Sequence, residues 1–187
     1  MSLKDVLREK IEAHRPRTTK LVKQHGDVKI GEVTIAQAIG GARGVRCLVT
    51  DISYLDPEEG IRFRGMTIPE VMDALPRPKG KDFPYVEGFW YLLLTGDVPT
   101  EKQALEVVED FKARSRVPQY VIDLLRTLPR DTHPMTMFSA AIVAMQRESK
   151  FAKNYKENYD RMTAWEYMYE DSNDILARIP TIAAYIY

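Results

Sequence analysis

The chain has 187 residues, 44% hydrophobic and 29% charged, which suits one folded domain or part of a larger one and argues against disorder. Lys and Arg number 27, as do Asp and Glu, so the chain lacks the basic surplus that nucleic-acid binding wants. The single cysteine, Cys47, excludes an internal disulfide and a thiolate-based zinc site.

Helix signals open the chain. Ser2 and Asp5 have capping-box spacing, and Leu3, Leu7 and Ile11 repeat at helical spacing. Pro16 is predicted to break or kink this helix, which residues 18–22 resume before Gly26. Residues 1–24 carry seven basic side chains against Asp5, Glu9 and Glu12. An Arg-rich transit peptide would avoid those acids, so the segment reads as a solvated helix face.

Residues 28–65 have a different pattern. Val28, Ile30, Val33 and Ile35 alternate with polar residues around Gly31, and residues 47–49 form a second strand candidate. Thr34 and Gln37 predict a short capped helix that Gly40 and Gly41 stop. Residues 56–60, Asp-Pro-Glu-Glu-Gly, predict a turn. After it, Ile61 and Phe63 alternate with Arg62 and Arg64, giving one apolar and one cationic face.

Helices return at Thr67. Thr67 with Glu70, Thr100 with Gln103, and Thr163 with Glu166 have capping-box spacing. Gly96 suits a helix end, residues 76–84 form a loop between two helices, and Pro99, Pro118, Pro129 and Pro134 punctuate the later ones. Residues 135–145 are rich in small side chains that allow close helix approach. The last apolar stripe runs from Trp165 to Ile186, with Pro180 predicted to kink it. That stripe ends without a closing signal, which predicts that the chain is part of a longer one. The fold class is mainly α, with small β-hairpins between about residues 28 and 65. The densest apolar run, residues 89–94, is far short of the roughly 20 residues of a membrane span.

The chemical inventory is incomplete. His14, His25 and His133 show no metal-ligand spacing. His14 and His25 read as helix-surface and helix-end residues; His133, before Pro134, suits a cap or the edge of a site. Cys47 reads as a buried thiol. The run Gly40-Gly41-Ala42-Arg43-Gly44 is the best phosphate-binding candidate, since glycines let backbone approach an anion and Arg adds a fork of donors; Arg62 and Arg64 are candidates to extend the cationic patch. Tyr120, Tyr155, Tyr159, Trp165, Tyr167 and Tyr169 read as core aromatics.

Taken together, the motifs resemble the citrate synthase family, in the long form shared by mitochondria and some bacteria. The resemblance lies in residues 40–51, in Leu55-Asp-Pro-Glu-Glu-Gly-Ile-Arg-Phe-Arg-Gly65 with Thr67-Ile-Pro-Glu70, and in residues 87–96 with Pro99-Thr-Glu101. It continues through His133-Pro-Met135, Glu148-Ser149, Phe151-Ala152, Trp165-Glu166 and Tyr169-Glu-Asp171, and so spans essentially the whole chain.

The resemblance implies a multi-helical fold and assigns residues 1–187 to the N-terminal part of the family's large helical domain. It implies a homodimer and an enzyme that condenses acetyl-CoA with oxaloacetate to citrate and CoA. No cofactor is implied, acetyl-CoA being a substrate, and no metal, nucleic acid or membrane. Catalytic His and Asp residues are expected beyond Tyr187, so no catalytic residue is assigned and the chain alone is expected to be inactive. Arg43 resembles a family arginine that meets a CoA phosphate, and Arg161 resembles one that reaches CoA bound largely by the other subunit. The helix around residues 139–144 resembles the family's interface helix. A 2-methylcitrate synthase and a non-catalytic helical module are the alternatives. The acids among residues 1–24 favour the bacterial cytoplasm over the mitochondrial matrix as location.

Overall fold

Ser2 starts the first helix as its spacing predicts. Its hydroxyl accepts from the Asp5 amide at 3.3 Å, and the Asp5 carboxylate accepts from the Ser2 amide at 3.2 Å. The resulting helix, α1 (Leu3–His25), runs unbroken through Pro16, against expectation. Pro16 removes one backbone donor, but it sits at an exposed position, where solvent takes the carbonyl left unbonded. The computed structural model describes every residue except Arg43, Arg46, Cys47, Leu48 and Pro57. Two units emerge, Met1–Leu105 and Glu106–Tyr187.

In the first unit, α2 (Ile35–Ile39) carries the Thr34–Gln37 capping box, and Gly41 follows with φ 79°. The strands expected on either side of Gly31 do not form among the described residues: Val28, Ile30 and Val33 are exposed and carry no ladder there. Alternation alone does not make a strand when no neighbour pairs with it. The candidate at 47–49 falls largely on Cys47 and Leu48, outside the described residues; Val49 is exposed. Among the described residues the sheet is β1 (Ser53–Asp56), β2 (Gly60–Phe63) and β3 (Met66–Thr67), antiparallel in that order. Asp56 organises the predicted turn by accepting from the Glu58 and Glu59 amides, each at 2.9 Å, and Gly60 adopts φ 90°.

The sheet feeds directly into α3 (Ile68–Ala74), capped by Thr67 and Glu70. Val71 and Leu75 pack with Leu92 of α4 (Val86–Thr95), and Phe63 meets Phe89 edge-on at 4.9 Å. Gly96 closes α4 in the left-handed region, φ 80°, its amide bonded to the Leu92 carbonyl at 2.8 Å. That angle is open to glycine at no steric cost. Arg64 also closes this helix. Its Nε donates to the Leu93 carbonyl at 3.0 Å and its Nη2 to Leu94 at 3.2 Å, while Nη1 stands 3.2 Å from Asp51. Lys10 of α1 reaches Asp97, just past the same helix end, at 2.6 Å.

The next helix, α5 (Glu101–Arg114), opens on the Thr100–Gln103 box and continues into the second unit. There follow α6 (Gln119–Thr127), α7 (Pro134–Ala144), a 3-10 turn (Met145–Glu148), α8 (Lys150–Glu157) and α9 (Ala164–Ile186). Val121 and Leu125 of α6, Ala141 of α7, Met145 and Ile182 of α9 form the core. The small residue Ala141 is fully buried there, so the small-residue segment serves the core on one face. His133 caps α7, its Nδ1 accepting from the Met135 amide at 3.1 Å. Like α1, α9 runs through its proline: Pro180 is exposed and the helix does not break.

Removing the Arg64 fork tests how much the sheet–helix junction depends on it. Arg64→Ala leaves the Leu93 and Leu94 carbonyls without their charged donor and lowers stability by about 2 kcal/mol. Arg64→Lys recovers part of this, because an ammonium lacks the fork. Urea unfolding of the three proteins checks the order.

Candidate functional site

The cation singled out by resemblance, Arg161, sits in the turn between α8 and α9. Asp160 builds that turn. Its side chain accepts from the Met162 amide at 2.8 Å, and its carbonyl accepts from the Thr163 and Ala164 amides at 3.2 and 2.9 Å. Thr163 does not cap α9 with Glu166 as predicted. Its backbone is helical, φ −105° and ψ −8°, whereas a capping side chain needs an extended N-cap. The Thr163 hydroxyl instead lies 3.3 Å from the Asp160 carboxylate. Arg161 is exposed, and among the described residues no acid pairs with it. An exposed guanidinium on a structured turn is able to take a bidentate anion such as phosphate.

The helix before the turn, α8, is anchored at its start from α9. The Asp171 carboxylate accepts from Ser149 Oγ at 2.6 Å and from the Lys150 and Phe151 amides at 2.8 and 3.0 Å. It therefore closes the N-terminus of α8 from a different helix, where negative charge also suits the helix dipole. Ser149 Oγ in turn accepts from the Ala152 amide at 2.9 Å. One turn along α9, Asp174 and Glu170 hold Arg114 of α5 at 2.8 and 2.9 Å, and Asp110 holds it at 2.8 Å. Lys150 joins through Asp174 at 3.1 Å.

Burial pushes the Asp174 carboxyl up, but its hydrogen bonds to Arg114 and Lys150 outweigh burial and hold it below the usual range. Burial acts to lower Arg114, and the three carboxylates more than reverse it, so its pKa is raised. Sequence reasoning missed this network. Its signal was present: Asp110 with Arg114, and Glu170 with Asp174, stand four apart on their helices.

Other expected site features are redistributed. Arg43 and Cys47 lie outside the described residues. Arg62 and Arg64 do not form a free cationic patch: Glu59 takes Arg62 at 2.7 Å, and Arg64 serves α4. Hydrogen-bond acceptors within reach of each arginine decide this, and the alternating pattern does not reveal them. Tyr155 and Tyr159 are exposed and stack edge-on, 5.0 Å between centroids, instead of entering the core. His14 and His25 are exposed on α1. No cluster able to hold a metal ion occurs among the described residues.

Residues 41–187 match the family model described as "Citrate synthase, C-terminal domain". The chain belongs to the citrate synthase family. It is 48% identical over 186 residues to the mitochondrial citrate synthase of Aspergillus niger, covering all of this chain and 39% of that protein. The mitochondrial citrate synthase of Saccharomyces cerevisiae is 47% identical over the same length, with 39% of it covered, and that of Xiphias gladius is 45% identical, with 40% covered. The chain thus spans about two fifths of the length of the curated relatives it matches. The crystal structure of citrate synthase from Pyrobaculum aerophilum shares the fold, with TM-score 0.63 at 22% identity over 84% of this chain and 38% of that one.

These relatives overturn the bacterial cytoplasmic assignment, since those of the fungi and the fish are named as mitochondrial. The acids that suggested the cytoplasm belong to a folded element: Asp5 is a cap of α1. They lie on the surface of that helix.

The Asp174 pairing makes stability depend on pH. The folded chain binds this proton less readily than the unfolded one, so the stabilisation is present above the unfolded value, about 3.9, and is lost as pH falls through the folded value. Asp174→Asn is expected to cost about 1–3 kcal/mol at pH 7. The gap to wild type narrows in urea titrations as pH falls below the usual carboxylate range and closes only below the lowered folded value, because protonation removes the same charge.

Proposed function

We propose that this chain is the N-terminal portion of a citrate synthase, acting in the mitochondrial matrix, whose full-length form condenses acetyl-CoA with oxaloacetate to give citrate and CoA. Family membership over residues 41–187 supports the reaction class, and residues 1–40 precede the matched region. In this reading the chain supplies binding groups and part of a dimer surface. The general base and the groups that polarise the two carbonyls lie in the remaining length that the relatives possess. The observation that carries the binding role is Arg161: a solvated guanidinium, held by an Asp160-organised turn and not consumed by an internal acid.

Arg161 is assigned to a CoA phosphate, reaching CoA bound largely by the second subunit, and Arg43 to another phosphate contact. Neither touches the atoms that react. Their contribution is therefore uniform binding, which changes affinity without changing the barrier from the bound state. In the full-length enzyme, Arg161→Ala should raise KM for acetyl-CoA by about tenfold and leave kcat within about twofold. A KM equal to wild type removes the assignment. Thiol release from acetyl-CoA plus oxaloacetate measures both. The same assay on the 187-residue chain alone should give no turnover; turnover would return attention to His133.

The homodimer reading rests on α7. Its buried side packs on the core through Ala141, while Met135, Ser139 and Val143 stay exposed along the opposite side. A two-fold contact through that stripe would cover the exposed Met135 and Val143 with their own copies, with Ser139 between them. Val143→Arg in the full-length protein should then shift sedimentation from dimer to monomer, whereas an unchanged sedimentation coefficient would exclude α7 from the interface.

A further inference from the structure

A cleft of the first unit, between α1 and the end of α4, has a charge pattern that the proposed reaction does not use. Lys10, His14 and Arg17 stand at i, i+4 and i+7 on α1, so one helix face presents three nitrogen-bearing side chains over about 10 Å. With Arg15 and Arg64 they line a space of about 330 Å³, at the lower end of the range for small-ligand sites.

The charges in this cleft are not balanced. Asp51 is the one carboxylate among its described lining residues, and Arg64 holds it at 3.2 Å. Lys10 is engaged by Asp97 at the rim. Arg17 is exposed and meets no acid among the described residues. His14 has Nδ1 3.3 Å from Thr18 Oγ1, which leaves Nε2 for a ligand. The C-terminal end of α4, with Leu94 and Thr95, also lines the cleft. A helix C-terminus repels anions, but here the Arg64 guanidinium sits on the Leu93 and Leu94 carbonyls and cancels that field. The remaining walls are apolar: Leu7, Ile11, Ile52 and Leu94.

We propose that this cleft binds a small organic anion, with a phosphate or carboxylate head on Arg17 and His14 and an apolar body against Leu7, Ile11, Ile52 and Leu94. The unpaired Arg17 guanidinium selects the charge. The apolar floor selects against a bare inorganic ion, which would gain nothing from desolvating those walls.

The test uses the 187-residue chain with octyl phosphate below its micellar concentration, octanoate, and inorganic phosphate, followed by calorimetry and by amide chemical shifts. Saturable one-to-one binding of an octyl ligand is expected, with shifts at residues 7–17, 51–52 and 94–95. Whichever octyl ligand binds more tightly assigns the head group. Inorganic phosphate should bind at least about fivefold more weakly, reflecting the lost apolar contact. The double substitution His14→Ala and Arg17→Ala should weaken octyl binding by about tenfold or more. Lys23→Ala, on α1 but outside the cleft, should leave it unchanged. Both His14 and Arg17 are exposed, so an unchanged thermal midpoint will confirm that the double variant folds. Absence of saturable binding, equal affinity for the double variant and wild type, or shifts confined to other residues would each overturn the proposal.

Discussion

Short helices leave a large share of their backbone groups at the ends, and this fold depends on how those ends are closed. The decisive closure is Asp171. It stands on α9 and satisfies two amides at the start of α8 as well as the Ser149 hydroxyl. One carboxylate thus ties the start of α8 to the side of α9. Arg64 performs the complementary task in the first unit, donating to the last carbonyls of α4 from a position beside the sheet. In both cases a charge meets a helix end of opposite partial sign, so the dipole and the hydrogen bonds act together. The same bonds that satisfy the backbone also hold one element against another.

This distinction explains which parts of the fold were readable in advance. The boxes at Ser2, Thr34, Thr67 and Thr100 involve residues three apart, and each formed as its spacing predicted. The box at Thr163 failed because Asp160, upstream, had already wound the chain into a helical turn. The turn at Asp56 and the end of α4 at Gly96 were also local and also legible. The strand expected near Val28 was not local in the same sense, because a strand exists only with a partner. A break at Pro16 did not occur, because a proline removes one hydrogen bond while a helix of 23 residues keeps the rest, and α9 likewise continues through Pro180.

Charge was harder to read than helix formation. Alternation put Arg62 and Arg64 on one face and suggested a patch that could hold an anion. The structure assigns both to internal acceptors, since Glu59 lies three residues before Arg62 and the end of α4 lies within reach of Arg64. The Arg114 network escaped notice because its members come from three helices, and the two unlike-charge partners on α5 look like an ordinary surface pair. Only tertiary structure brings Glu170, Asp174 and Lys150 to them. Sequence spacing reports neighbours on one helix and is silent on which helix comes next.

Arg114 and Arg161 show why the same side chain has two opposite uses within one unit. Arg114 is surrounded by three carboxylates and is largely desolvated, so its charge is already neutralised by its own fold. Freeing it for a ligand would strand those carboxylates, at a cost comparable to breaking a buried pair. Arg161 is exposed and, among the described residues, has no acid partner to release. Meeting a phosphate therefore exchanges water for a charge-assisted fork without first breaking a salt bridge. What a ligand contact at Arg161 would need from the protein is position, and the turn organised by Asp160 supplies it.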